Sequence, residues 1–205
     1  MRKMVFFLLV FLSCSSVTLA QEKIDVPVWN LGDKWVFTQG NIEVVGVDQN
    51  TYTLALSRDV CFVERKQFEK IVLDKTTLNR IYTFAGGERE KYSSPHRLIL
   101  NFPFTPGKEW KDTSSAKALT GPMKGQTIDF AETFVVVGWE DVKVQAGDFK
   151  TVKMEYTQEN KTHGFSGKAV YWYAPSVKYF VKCQYDQRFW VGAPDWELVS
   201  FKMQK

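Results

Sequence analysis

The sequence predicts an all-β, mainly antiparallel single domain, arranged as a curled sheet, an open or half barrel, or a sandwich. Three observations predict it. Apolar and polar residues alternate with a two-residue period in run after run, which is the mark of a strand with one face in a core and one in water. Turn clusters of Gly, Pro, Asn and Asp divide the runs, and β-branched and aromatic residues dominate them. The clearest stretch is Glu140 to Asp186, which reads as three or four strands in a hairpin meander. In Lys150 to Thr157, Val152, Met154 and Tyr156 fall on one face and Thr151, Lys153, Glu155 and Thr157 on the other. In Val177 to Asp186, Val177, Tyr179, Val181, Cys183 and Tyr185 alternate with polar residues, and Phe180 is the one intruder on the polar side.

The N-terminus decides which residues belong to the mature protein. Arg2 and Lys3 precede an apolar run from Met4 to Leu12, and a small-residue segment ends at Thr18, Leu19 and Ala20. This is the layout of a secretory signal, residues 1–20, cleaved before Gln21; the run is too short to span a bilayer as a helix. A second reading takes Cys14, followed by Ser15 and Ser16, as the lipidated first residue of a lipoprotein, although Phe11 stands where an aliphatic is usual. The expectation is an exported chain, periplasmic or secreted, or anchored to a membrane through Cys14. Residues 21–205 then form one all-β domain with no transmembrane segment. The whole chain carries a formal charge of +4, and loss of Arg2 and Lys3 leaves +2. That near balance points to no nucleic-acid partner.

Taken in order, Gly32 and Asp33 turn the chain into a short strand at Trp35 to Phe37. Ile42 to Val47 and Thr51 to Ser57 form a hairpin around Asp48, Gln49 and Asn50. Asp59 to Leu73 also fits one helical face behind Asp59, but its β-branched and aromatic content favours strands. Leu78 to Phe84 continues as strand and ends at Gly86 and Gly87. Tyr92 to Ser115 contains Pro95, Pro103 and Pro106, which exclude a central strand, so it reads as an edge strand followed by a turn. Ser114 to Gly125 is the longest loop. Thr127 to Val144 resumes the strand pattern with Gly138 as a bulge, Ala146 to Asp148 is a turn, and Trp196 to Met203 is the last strand.

Several landmarks resemble a broad group of exported, uncharacterised bacterial all-β proteins. Phe102, Pro103, Phe104, Gly107 and Trp110 match F-P-L-x-x-G-x-x-W; Val144, Ala146, Gly147 and Phe149 match V-x-A-G-x-F; and Trp172, Tyr173 and Pro175 match W-Y-x-P. Phe104 replaces the group's leucine, and Gln145 stands where the group usually has proline. The resemblance covers most of the mature chain, implies a fold and assigns no functional residue.

The chemistry-bearing residues are sparse. The two histidines, His96 and His163, sit in no nucleophile motif. With two well-separated mature cysteines they lack the close spacing that gathers ligands on a metal ion. The pairs Glu88 with Glu90 and Glu140 with Asp141 lie at turns or on polar strand faces, where carboxylates are ordinary. The expectation is a non-enzymatic protein with no cofactor and no metal. Cys61 and Cys183, 122 residues apart, are a candidate disulfide in an oxidising compartment, one that would stabilise by roughly 5 kcal/mol at most; a buried free thiol is the alternative for Cys183.

All seven tryptophans lie beyond the signal. Most fill the core, and some are candidates to line a cavity for an apolar ligand: Trp35, Trp110, Trp139, Tyr171, Trp172 and Tyr173. Tyr171, Trp172 and Tyr173 place large rings on both faces of one strand, which a merely wet outer face does not explain. The leading function is thus an envelope protein holding an apolar, lipid-like molecule or lipoprotein moiety on a concave face. The most telling observation for such a site is an enclosed apolar cavity of several hundred Å³. The alternative is a structural or interaction module that meets an envelope protein partner through an edge strand.

Overall fold

The computed structural model describes residues 23–57, 70–85, 88–91, 99–117, 126–186 and 194–205. It contains twelve strands and one sheet. They are β1 (Lys34–Phe37), β2 (Gly40–Val47), β3 (Thr51–Ser57), β4 (Lys70–Asp74), β5 (Arg80–Ala85) and β6 (Glu88–Lys91), then β7 (Glu109–Lys117), β8 (Thr127–Val144), β9 (Gly147–Asn160), β10 (Phe165–Ala174), β11 (Tyr179–Tyr185) and β12 (Trp196–Lys202). The spatial order is β6-β5-β4-β3-β2-β1-β12-β11-β10-β9-β8-β7. Each half is therefore an antiparallel meander, and the two halves join where the first strand pairs with the last, from Lys34 opposite Lys202 to Phe37 opposite Leu198. The sheet does not close: β6 and β7 are its two ends.

Successive strands of a meander need only short turns, but β6 and β7 are neighbours in sequence and stand at opposite ends of the sheet. The chain between them must cross. Residues 99–108 form an irregular strap over the inner face, tied to the β4–β5 turn by Asn79. The Asn79 side-chain oxygen accepts hydrogen bonds from the Ile99 and Leu100 amides at 3.1 Å each, and its amide donates to the Leu100 carbonyl at 3.1 Å. At its far end Phe104 exchanges two 2.9 Å backbone hydrogen bonds with Ile24. The edge strand expected around Pro103 is thus corrected to a strap with a single bridge, and the edge strand proper is β7, which extends into the stretch read as a loop. Residues 118–125, and 58–69 with the helix-or-strand ambiguity, lie outside the described residues.

Aromatic rings fill the hollow as a continuous belt. From the strap it runs Phe104, Trp110, Phe134, Tyr156, Tyr171, Trp196, with successive centroids 4.9 to 6.4 Å apart. It continues through Phe37, Tyr179, Trp35, Trp29 and Tyr52 at 5.0 to 6.0 Å. Such spacings are those of offset and edge-to-face ring pairs. A few large rings fill the inner face of a curved sheet in few positions.

Two irregularities explain the departures from strict alternation. A bulge shifts the register between Trp172 and Tyr173, so Trp172 faces Lys182 while Tyr173 faces Phe180; this turns Phe180 inward, 5.4 Å from the Tyr173 ring. At Gly138 the register shifts again, as the sequence predicts. Beyond the end of β10, β8 and β9 continue as a two-stranded extension. Its turn reaches β12, where the Ala146 amide donates to the Leu198 carbonyl at 3.0 Å and Phe149 meets Phe201 at 6.1 Å. Register places Val142 and Phe149 on the face that carries Lys153 and Trp172. The outer face therefore holds a small apolar cluster of its own.

Candidate functional site

The six candidate binding residues separate into three groups. Trp35, Trp110 and Tyr171 are buried members of the belt. Trp172 lies on the outer face, buried beneath Lys182 and Lys153, whose ammonium groups sit 5.1 and 5.9 Å from its ring. Tyr173 and Trp139 come together with residues that the sequence does not single out, at the rim where the N-terminal segment meets the turn between β10 and β11.

That turn, Pro175 to Lys178, is held by two indoles. Trp35 donates to the Val177 carbonyl at 2.7 Å, and Trp29 donates to the Lys178 carbonyl at 3.0 Å. Lys178 adopts a φ of 57°, a left-handed conformation uncommon for a side chain of its size, and its ammonium donates to the Val28 carbonyl at 2.8 Å. The turn and the N-terminal segment are thereby fixed to each other. Proline before a tight turn is readable in the sequence; which carbonyls the indoles would find is not, since the partners lie 149 and 142 residues away.

Tyr173 is a shared wall between two recesses. On one side is an apolar void of about 50 Å³, lined chiefly by Trp29, Leu73, Leu78, Ile99, Phe102 and Phe180. On the other is a shallower recess of about 300 Å³, open to solvent, bounded by Lys23, Asp25, Pro27, Trp139, Pro175 and Lys178. The first is far below the volume of a whole lipid, because the belt and the strap occupy the hollow. The second lies at the lower end of the range of small-ligand sites. Burial pushes the Tyr173 hydroxyl well above its ordinary pKa, so it is a neutral hydrogen-bonding group. The buried Trp139 indole N–H has no hydrogen-bond partner among the described residues, and the Lys150 ammonium stands 4.5 Å from its ring centroid.

Other groups are structural. Glu132 is buried and accepts from the Tyr156 hydroxyl at 2.5 Å and the Gln158 amide at 3.2 Å. His163 lies on the exposed β9–β10 turn, its backbone amide donating to the Asn160 side chain at 2.9 Å; His96 lies outside the described residues. Glu140 is exposed and sits 3.7 Å from the Lys153 ammonium. Among the described residues no group of three His, Cys, Asp or Glu side chains is placed to hold a metal ion, and no helix is long and apolar enough to cross a membrane. Cys183 is a free, buried thiol, the alternative to a bond with Cys61: it sits on the inner face opposite Tyr171, within the belt. Cys61 and Cys14 lie outside the described residues.

No family profile matches the chain, and no curated protein does. Three solved structures are similar. A candidate exported protein with a YmcC-like fold from Bacteroides fragilis is 12% identical, with a TM-score of 0.47 over 89% of this chain and 100% of that one. The hypothetical lipoprotein YmcC from Escherichia coli is 9% identical, with a TM-score of 0.44 over 88% and 92%. A candidate lipoprotein from Parabacteroides distasonis is 15% identical, with a TM-score of 0.45 over 87% and 97%. At these identities and scores the likeness decides neither the fold nor the function of this chain.

Proposed function

We propose that the chain is an exported, non-enzymatic envelope protein that binds a small amphiphilic molecule, or one end of a larger one, at the rim beside Tyr173. The observation that carries this reading is the position of Tyr173 between an apolar void and an open recess bordered by Lys178 and the Lys23–Asp25 ion pair. An apolar group fits against the Trp29 and Phe102 side, and a polar or acidic head fits beside Lys178 against the Trp139 ring. Export rests on the charged, apolar and small-residue order of the first 20 residues. The small void narrows the expectation from a whole lipid to one group of it.

The test is a fluorescence titration with sodium octanoate below its micelle concentration. A saturable change in tryptophan emission is expected, weakened about tenfold or more by Lys178→Met or Trp139→Phe. Absence of saturation with the wild-type protein would overturn the reading. A second reading, a module that accepts a partner's strand, draws support from the open sheet, which ends on the nine-residue β7. Loss of a stable envelope complex on Thr113→Pro, with octanoate binding intact, would favour it.

A further inference from the structure

The tip of the domain beside the N-terminal entry gathers exposed apolar side chains. Val28 and Leu31 are 67% and 62% exposed, and Val45 is 42% exposed. Seven large apolar side chains are exposed among the described residues, and three of them are here. The Gly32 amide donates to the Val44 carbonyl at 2.8 Å, which sets Leu31 beside Val45. Val47, also exposed, lies opposite Tyr52 on the other face of β2 and is not part of this group. Val45 is displaced outward by the register shift between Val44 and Gly46.

The charges around this tip are unequal in what they face. Asp25 is paired with Lys23 at 2.9 Å and Glu43 with Lys34 at 3.1 Å. Asp33 is buried and accepts from the Asn30 and Gln204 amides. Asp48 accepts from Asn50 and Thr51 in its own turn. Lys75 contacts the Asp48 carbonyl and the Tyr52 ring and helps to hold the Asp48 carboxyl low. Lys178, by contrast, contacts the neutral Val28 carbonyl. The tip thus offers aliphatic side chains flanked by the Lys178 ammonium, whose hydrogen bond goes to a neutral carbonyl.

The position of the chain entry names the occupant. Val28 is five residues from Lys23, where the described chain begins, and nine residue steps separate Lys23 from Cys14, a reach of about 30 Å when extended. Lipidation at Cys14, the second reading of the N-terminus, would hold this end of the domain within that distance of a bilayer; aliphatic side chains beside an ammonium group are what an interfacial layer accepts with or without that anchor. We infer that this tip, centred on Val28 and Leu31, docks on the surface of a phospholipid bilayer. The tip shares Lys178 with the site proposed beside Tyr173, and the variants that test it leave Lys178, Trp139 and Tyr173 unchanged, so octanoate binding that persists in them separates the two.

The experiment uses residues 21–205, which hold all twelve strands, sedimented with sucrose-loaded vesicles of three parts phosphatidylcholine to one part phosphatidylglycerol. Wild-type protein is expected to co-sediment, and the double variant Val28→Asp with Leu31→Asp to partition at least tenfold less. Leu31→Trp is expected to bind more tightly, and Phe165→Asp, which changes an exposed ring on the β9–β10 side, to bind as wild type. Both changed positions of the double variant are exposed, so its circular dichroism should match wild type. Equal partitioning of wild type and the double variant overturns the inference. So does failure of the wild type to bind vesicles while the double variant loses self-association or a protein complex, since the tip would then be a protein interface.

Discussion

The indole of Trp35 donates to the Val177 carbonyl at 2.7 Å, joining residues 142 positions apart and both buried. With Trp29 on the next carbonyl, it clamps the N-terminal half of the sheet to the β10–β11 turn of the other half. Trp35→Phe keeps an aromatic ring but loses the pyrrole part of the indole and leaves a buried carbonyl without its donor. The expected loss is about 1–3 kcal/mol, read as a lower urea midpoint with an unchanged slope. Trp35→Ala adds a cavity at the centre of the belt and should cost about 3–5 kcal/mol.

Asn79 makes three hydrogen bonds to the strap and is itself buried. Asn79→Ala strands the Ile99 and Leu100 amides and should destabilise by about 1–3 kcal/mol. Because the strap forms one wall of the apolar void, hydrogen exchange at Ile99 and Leu100 should accelerate more than at Met154 in the middle of β9. Equal acceleration at both places would show that the strap does not depend on this side chain.

Burial raises the pKa of the Cys183 thiol and of the Tyr171, Tyr173 and Tyr185 hydroxyls. A group whose folded pKa lies above its unfolded one contributes stability that is complete below the unfolded value and lost as pH rises past it. Those unfolded values are about 8.5 for the thiol and about 10 for the hydroxyls, so stability should fall progressively from about pH 9 upward. At the acid end, hydrogen bonds from Thr51 hold the Asp48 carboxyl low. For Asp74, burial pushes upward, but the hydrogen bonds from Thr76 and Thr77 outweigh it. Both contribute stability above their unfolded pKa of about 3.9, lost as pH falls through the folded values. Urea midpoints should therefore be level between about pH 5 and pH 8 and fall on both sides.

The free thiol gives a chemical prediction. In the folded, unreduced protein Cys183 should resist alkylation at pH 8, and in urea without reductant it should be alkylated fully. A Cys61–Cys183 crosslinked peptide in that digest would contradict the structure at this residue.

Much of the sheet is legible in the sequence because two-residue alternation is a local property. The faces of Val152, Met154 and Tyr156 and the hairpin around Asp48 need only their own neighbours to be read. Phe180 is misplaced by alternation because the register with β10 skips Val181, the residue beside it, and such a bulge is invisible to a period count. The strap is misread for a related reason: its prolines exclude a central strand, but only the spatial order of β6 and β7 requires the segment to cross the hollow. The rings at Trp35, Trp110 and Tyr171 read equally well as ligand contacts or core until their partners in the belt are known. Trp139 and Tyr173 are found by the excess of aromatic residues, while Lys178 and Trp29 enter the site through a turn contact that carries no sequence signal.

The most direct measurement is a two-dimensional proton–nitrogen spectrum of the seven tryptophan indoles during titration with octanoate. The Trp139 and Trp29 signals should shift in a saturable manner while those of Trp35 and Trp110 stay in place. Shifts centred on Trp35 and Trp110, or no saturable shift at any indole, would contradict a site at the rim beside Tyr173.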